Sequence, residues 1–201
     1  QKLWYIRAKE VVISSGSIER PLVFGNNDTP GVLLSSAAKE YMKVYGVLVG
    51  KKPIIFTNND SAYETAIEFK KNGVDPIVLD SRKELSSDLI KEAKSLGINI
   101  KFEYVVVNAN GYRKVKSADI AKISDDKTTL GKIENIACDC ICVSGFWTPT
   151  IHLASQSGGK TKFNEEIDAF IPSKSKQNET TVGSANGLSL IHISEPTRQK
   201  P

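Results

Sequence analysis

Three runs of small residues, each directly after a strand-like segment, could bring the backbone of this chain close to a phosphate-bearing ligand. They occupy residues 14–16, 57–62 and 183–187, with the sequences Ser-Ser-Gly, Thr-Asn-Asn-Asp-Ser-Ala and Gly-Ser-Ala-Asn-Gly. At the carboxyl end of a parallel strand, small residues let the backbone approach a pyrophosphate where a larger side chain would collide. The sequence therefore offers three candidate dinucleotide contacts.

Two of these runs are open to interpretation from the residues alone. The run at 14–16 follows the β-branched segment 11–13 and is also typical of a plain tight turn. The run at 183–187 would present backbone N–H groups to a phosphate if a helix followed it.

The middle run stands where a dinucleotide domain carries Gly-x-Gly-x-x-Gly/Ala. Ala62 suits the third position, and Asp80 suits the acidic residue that holds a ribose hydroxyl. The two earlier glycines are replaced by Thr57 and Asn59, so the backbone cannot approach a pyrophosphate in the usual way. We predict that this half is Rossmann-like in structure and empty of nucleotide.

Cysteine and histidine add little further chemistry. The spacing of Cys138, Cys140 and Cys142 predicts that they share one face of a strand as small buried residues, which points to a reducing compartment. His152 has no cysteine or carboxylate at ligand spacing, so we expect it to be structural. We assign no catalytic residue and no metal ligand.

The elements that would position these runs alternate between strand and helix, which predicts a doubly wound α/β fold with a small antiparallel section. Asn110-Gly111 predicts a two-residue type I′ hairpin turn in that section. The other predicted elements are a helix at 34–45 capped by Ser35 or Ser36, strands at 53–57 and 76–80 around a helix at 62–73, a helix at 84–96, and strands at 98–100 and 136–143.

Composition excludes several classes of protein. Hydrophobic residues make up 40% of the 201 residues and charged residues 25%, as in globular domains. The net charge of +4 is spread among acidic residues, so we expect no nucleic-acid partner. No apolar run approaches the ~18 residues that cross a bilayer, so we expect no membrane span and a cytoplasmic protein.

The two ends of the sequence predict that it is part of a longer protein. Gln1 is not an initiator methionine. The run LSLIHISEPTR at residues 188–198 resembles the translation of a transposon-based sequencing adapter, so we expect 188–201 to be non-native. His192 lies in that run, which leaves His152 as the single native histidine.

Together the motifs resemble the alpha subunit of heterotetrameric sarcosine oxidase. The similar segments are ERPLVF, NND and PGV between residues 19 and 32, FTNNDSAY, which is similar to that family's degenerate second fingerprint, CVSGFWTPTIHLASQSGGK, and VGSANG. The resemblance covers nearly all of residues 1–187. Phe146 and Ser184 depart from it, since the family usually has glycine at the first and a more alanine-rich motif around the second.

The resemblance implies a two-dinucleotide-domain fold of the pyridine nucleotide-disulfide oxidoreductase type. Residues 1–32 and 148–187 would belong to the first dinucleotide domain, and 33–147 would form an inserted second domain. Ser15, Gly16, Gly183 and Ala185 would line the dinucleotide crevice of the first domain. The implied cofactors are NAD in this subunit, with FAD and FMN in the complex.

The implied activity is the oxidative demethylation of sarcosine by a complex with beta, gamma and delta subunits. A tetrahydrofolate-using domain would lie outside this chain, and the chain alone would be inactive. Two other functions stay open: a large subunit of an opine- or proline-oxidising complex, and a non-catalytic nucleotide-binding scaffold.

Overall fold

The computed structural model describes residues 2–124 and 129–188. The chain divides into two compact units. We call Glu19–Phe146 the inserted unit, and Gln1–Ile18 with Trp147–Pro201 the split unit. The inserted unit thus includes residues 19–32, which the resemblance assigns to the first dinucleotide domain.

The strands are short, and most of the helices lie in the inserted unit. The strands are β1 (Val11–Ile13), β2 (Ser17–Glu19), β3 (Val32–Leu34), β4 (Pro53–Thr57), β5 (Ile77–Asp80), β6 (Asn99–Phe102), β7 (Tyr104–Asn110), β8 (Ser117–Lys122), β9 (Glu134–Ala137), β10 (Cys140–Ser144), β11 (Trp147–Pro149), β12 (Lys160–Asn164), β13 (Ala169–Lys174) and β14 (Glu179–Thr181). The helices are α1 (Ser35–Tyr45), α2 (Ser61–Lys71), α3 (Asp88–Ser95) and α4 (His152–Gln156), followed by a 3₁₀ helix (Gly183–Asn186).

A five-stranded parallel sheet in the order β3-β10-β4-β5-β6 organises the inserted unit. Its central strands β4 and β10 are buried at every position, as expected for parallel strands covered on both faces. The chain leaves β4 towards β5 and later returns to the other side of β4 with β10. The strand order therefore reverses between β4 and β10, where ligands bind in open α/β sheets.

The two faces of this sheet pack against different layers. On one face Ile55, Val78 and Cys142 pack against apolar residues of α1, α2 and α3. On the other face Ile54 and Leu79 pack against the three-stranded antiparallel sheet β7-β8-β9. The predicted Rossmann-like α/β fold with a small antiparallel section is confirmed.

The cysteine run does not lie on a single strand. Asp139 interrupts it, because its carboxylate accepts hydrogen bonds from the backbone N–H groups of Lys51 and Lys52 at 2.8–3.1 Å. Cys138 consequently lies in the core beside the antiparallel sheet, whereas Cys140 and Cys142 lie in the core beside the helices. All three thiols are buried and free, as predicted, but the shared strand face was wrong.

The Asn110-Gly111 pair does not form the predicted two-residue hairpin turn. Residues 111–116 connect β7 to β8, and the N–H of Lys116 bonds to the carbonyl oxygen of Asn110 at 2.8 Å. The connection is longer because Val115 is fully buried between the sheets. Its N–H also bonds to the carbonyl oxygen of Pro30 at 2.9 Å.

The sequence predicted that Ser35 or Ser36 caps helix α1, and this prediction is wrong. Its N-cap residue is Leu34, which has no side-chain acceptor. Glu19 supplies the acceptor instead, because its buried carboxylate bonds to the N–H of Ser36 at 2.9 Å and to the Ser36 hydroxyl. A carboxylate at a helix N-terminus satisfies orphan N–H groups and complements the helix dipole.

The split unit is built from three two-stranded sheets, β1-β14, β2-β11 and β12-β13. The antiparallel hairpin β12-β13 carries three exposed lysines, Lys160, Lys162 and Lys174. Phe163 and Phe170 pair edge to face across it, with ring centroids 5.3 Å apart.

None of the described helices has the length and apolar character of a membrane-crossing segment. The adapter-like run at 188–198 lies, apart from Leu188, outside the described residues.

Candidate functional site

In the split unit, two of the predicted small-residue runs meet at one sheet edge. Strands β1 and β14 are parallel, with Ile13 opposite Thr181, and the N–H of Val182 continues the ladder to the carbonyl oxygen of Ile13 at 2.9 Å. Residues 14–16 and 183–187 therefore both begin where these neighbouring strands end. Parallel strands deliver their carboxyl ends to the same edge, and that edge is where a dinucleotide binds.

Ser15 and Gly16 are fixed by a segment from the other end of the chain. The Ser15 hydroxyl donates to the carbonyl oxygen of Thr150 at 2.7 Å, and the N–H of Thr150 donates to the carbonyl oxygen of Gly16 at 3.0 Å. The Ser15 side chain thus holds the turn. Gly16 has φ +75°, which disfavours any residue with a side chain, and a Cβ placed on it would meet open space.

Gly183 and Ala185 belong to the 3₁₀ helix that follows β14. Gly183 has φ +67° and faces open space, so its backbone is accessible to a ligand. Ala185 is fully buried and contributes packing beneath this turn. A four-residue 3₁₀ turn follows β14, so the open glycine backbone is the main feature that this turn offers a ligand.

A polar atom without a partner lies on another strand of the same unit. The hydroxyl oxygen of Thr148 is buried and makes no hydrogen bond within the described part of the chain. Thr148 lies on β11, which contacts the 3₁₀ helix. A buried hydroxyl without a partner carries an energetic cost, which a ligand could relieve.

The inserted unit has a different arrangement at its own ligand edge. Thr57 and Asn59, which replace the expected glycines, are almost completely buried. The Thr57 hydroxyl donates to the carbonyl oxygen of Asn59 at 2.9 Å and accepts from the N–H of Asn59 at 3.0 Å. The turn after β4 is therefore closed on itself.

The Asn59 side chain spans from β4 to the end of β10. Its amide nitrogen donates to the Ser144 hydroxyl at 3.0 Å, to the Ser144 carbonyl oxygen at 3.3 Å and to the carbonyl oxygen of Gly145. Its amide oxygen accepts from the N–H of Ser61 at 3.1 Å and from the Ser61 hydroxyl at 2.6 Å. One side chain thus bridges the two strand ends and the start of α2.

Asp80, which stands at the position of the ribose-binding acidic residue in dinucleotide domains, is fully buried within an ionic cluster. One carboxylate oxygen accepts from the backbone N–H and the Nε of Arg82, both at 3.0 Å. The other accepts from Arg82 Nη2 and from the Tyr63 hydroxyl, both at 2.8 Å. Arg82 Nη2 also bonds to Asp60 at 2.7 Å.

The charges of this cluster reinforce one another. Burial raises the pKa of Tyr63, and the negative charge of Asp80 and the hydrogen bond to it raise the pKa further. Burial lowers the pKa of Arg82, but its hydrogen bonds to Asp80 and Asp60 outweigh this and raise it overall. Tyr63 therefore stays protonated as a donor, and Arg82 stays charged.

Sequence reasoning missed Arg82, Tyr63 and Glu19. Arg82 could have been found, because it lies two residues beyond Asp80, at the place where an arginine accommodates a 2′-phosphate in some dinucleotide domains. Glu19 carries no local signal, since it caps a helix that starts sixteen residues further along the chain.

The remaining candidate residues do not assemble into a site. His152 is exposed at the start of α4. Within residues 2–124 and 129–188, no group of three or more His, Cys, Asp or Glu side chains is arranged to hold a metal ion.

The resemblance to sarcosine oxidase alpha subunits is confirmed over nearly the whole chain. The chain is 34% identical over 190 residues to sarcosine oxidase subunit alpha of Corynebacterium sp. strain P-1, covering 94% of this chain and 19% of that protein. It is 35% identical over 187 residues to the protein of the same name from Rhizobium meliloti strain 1021, covering 92% and 18%. The chain spans about a fifth of the length of these relatives. No protein-family model matches it.

Solved structures confirm the type of fold. Thioredoxin reductase of T. acidophilum superimposes with a TM-score of 0.72 at 17% identity, covering 93% of this chain and 60% of that one. L-proline dehydrogenase of P. horikoshii superimposes with a TM-score of 0.57 at 24% identity, covering 89% and 30%. At these identities the likeness concerns the fold alone, and the two-dinucleotide-domain fold predicted from the resemblance is confirmed.

Proposed function

We propose that this chain is part of the alpha subunit of a flavin-dependent sarcosine oxidase. Such an enzyme converts sarcosine, oxygen and water to glycine, formaldehyde and hydrogen peroxide. The observation that carries the proposal is the similarity, at 33–35% identity over 92–94% of the chain, to three proteins that all bear this subunit's name.

Within that subunit, the role of this chain is to support a dinucleotide, which we propose to be NAD, at the edge formed by β1 and β14. Gly16 and Gly183 leave the backbone open there, Ser15 holds the turn and Ala185 packs beneath it. The orphaned hydroxyl of Thr148 also fits a polar ligand in this unit.

The oxidative chemistry belongs to the flavins FAD and FMN of the complex, which accept the electron pair of the amine when bound. We propose that beta, gamma and delta subunits complete the complex and that a tetrahydrofolate-using domain lies elsewhere in the alpha subunit. The free, buried thiols of Cys138, Cys140 and Cys142 favour a cytoplasmic location, since reducing compartments keep thiols unpaired.

The test is to produce the full-length alpha subunit with its partner subunits and to measure peroxide formation from sarcosine. We expect turnover that depends on sarcosine, with glycine and formaldehyde formed in equal amounts. A complex with intact flavins and no turnover would contradict the proposal.

The NAD assignment is tested with a substitution at the open glycine. Gly183→Val in the full complex should strain the backbone and obstruct the ligand, so that NAD retained after purification falls at least about tenfold. Gly97→Val is the matched control, because Gly97 has φ +71° and open surroundings but lies at the end of α3. Equal NAD loss in the two variants would contradict the assignment.

A second candidate is the large subunit of a proline-oxidising complex, favoured by the structural likeness to L-proline dehydrogenase of P. horikoshii. The same purified complex distinguishes the two when proline replaces sarcosine. A higher kcat/KM with proline would favour this second candidate.

A further inference from the structure

The inserted unit has the sheet order of a dinucleotide-binding module, and its fold type implies a dinucleotide at the switch point between β4 and β10. The residues at that edge can be compared with what such a ligand requires. It needs backbone approach after β4, a helix N-terminus open to phosphate, and a carboxylate with a free oxygen for a ribose hydroxyl.

Asn59 prevents the inserted unit from meeting the first two requirements. It stands where the second glycine of the fingerprint would let the pyrophosphate approach, and it is only 1% exposed. Its amide oxygen already accepts from the N–H of Ser61, the first residue of α2. Its amide nitrogen is bound to Ser144 and Gly145 across the switch point. A phosphate would have to displace this whole set of bonds.

Arg82 prevents the inserted unit from meeting the third requirement, a carboxylate with a free oxygen. A carboxylate offers about four acceptor positions. Those of Asp80 are used by three donors of Arg82 and by the Tyr63 hydroxyl, and the carboxylate is completely buried. A ribose hydroxyl could reach Asp80 only after Arg82 had left both Asp80 and Asp60.

We infer that the inserted unit keeps the architecture of a dinucleotide-binding module but is closed to dinucleotides by its own side chains. Asn59 occupies the pyrophosphate position, and Arg82 occupies the ribose-binding carboxylate. The inference is independent of the proposed NAD site, which lies in the split unit.

The experiment is hydrogen–deuterium exchange of the complete chain, with and without millimolar NAD and, separately, NADP and FAD. In the wild-type protein, we expect no ligand-induced protection in peptides covering 57–62 and 80–82. Protection there by any of the three ligands would overturn the inference. Protection at 13–16 or 183–187 reports the proposed NAD site, so failure of one idea is distinguishable from failure of the other.

A variant that lacks both side chains tests whether they cause the closure of the dinucleotide position. Asn59→Gly combined with Arg82→Ala frees the pyrophosphate position and the Asp80 carboxylate. We expect NAD to protect 57–62 in this variant, with a Kd at least about tenfold lower than for the control. The control combines Asn72→Gly and Arg113→Ala, which remove the same side chains from exposed positions away from this edge.

A folded double variant that binds NAD no better than the control would overturn the assignment of these two side chains as the closure. Retained exchange protection of β4 and β5 establishes that it is folded. If the double variant does not fold, Asn59→Gly alone takes its place with the same readout, and the wild-type measurement decides whether the unit is closed.

Discussion

At the residue scale, the inserted unit stabilises its strand ends with its own carboxylates and amides. Glu19 shows how far such an interaction reaches along the chain. Its carboxylate is buried and satisfies the N–H and hydroxyl groups of Ser36 at the start of α1. A substitution at Glu19 should therefore affect α1 although the residue lies outside that helix.

We expect Glu19→Gln to lower the free energy of unfolding by about 1–2 kcal/mol, because it removes the negative charge from the helix N-terminus and weakens the hydrogen bonds. Urea unfolding followed by far-UV circular dichroism measures the change. Glu40→Gln is the control, since Glu40 is exposed on the same helix. Equal effects of the two substitutions would rule out a capping role for Glu19.

At the element scale, the segment around Arg20 packs directly on the end of β10. The N–H of Gly145 donates to the carbonyl oxygen of Arg20, and the N–H of Arg20 donates to the carbonyl oxygen of Phe146 at 2.7 Å. A Cβ on Gly145 would lie 2.6 Å from the carbonyl oxygen of Arg20. A glycine is required here because two backbones approach closely.

Gly145→Ala should therefore destabilise the protein by about 1–3 kcal/mol, as overpacking against backbone does. Gly131→Ala is a suitable comparison, since a Cβ on residue 131 would lie 3.3 Å from its nearest neighbouring atom. Thermal or urea unfolding of both variants measures the difference. If Gly145→Ala is as stable as Gly131→Ala, the close approach does not constrain this position.

The elements that the sequence predicted well are those whose ends are marked by local turn and cap residues. The unit β4-α2-β5 was predicted within about two residues at each end, because a β-branched run, a polar turn and Gly73 mark its boundaries. The split of the cysteine run was missed because it depends on Asp139 bonding to Lys51 and Lys52, far away in sequence.

The candidate sites show the same division. The missing glycines at Thr57 and Asn59 were visible in the sequence and indicated an unusual ligand edge. The bonds of Asn59 to Ser144 and Gly145 were not visible, because these residues are more than eighty positions apart and meet only when β10 pairs with β4. Long-range pairing of this kind carries no local sequence signal.

At the scale of the whole molecule, the buried thiols couple stability to alkaline pH. Burial raises the pKa of Cys138 to about 12, with contributions from Cys140 and from the charge of Asp139. The pKa of Cys142 is also raised, by its hydrogen bond with Cys140 and by burial. An unfolded thiol has a pKa of about 8.5. The folded protein therefore holds these protons at pH values where the unfolded chain releases them.

The contribution of the protonated Cys138 thiol to the free energy of unfolding is thus fully present below about pH 8.5. It is lost as the pH rises towards about 12. We expect the free energy of unfolding to fall with pH in this window under reducing conditions. Cys138→Ala should make the slope shallower by up to about 1.4 kcal/mol per pH unit. Urea titrations at several pH values measure both slopes. An unchanged slope in the variant would show that Cys138 does not hold its proton in this way.

The division into two units also determines what each aromatic residue reports. The two tryptophans of the chain, Trp4 and Trp147, both belong to the split unit. Every tyrosine except Tyr5 lies in the inserted unit. The fluorescence of selectively excited tryptophan therefore reports on the split unit, which is the unit proposed to hold NAD. Tyrosine signals largely follow the unit that Asn59 and Arg82 close, so one unlabelled sample carries a separate optical probe for each unit.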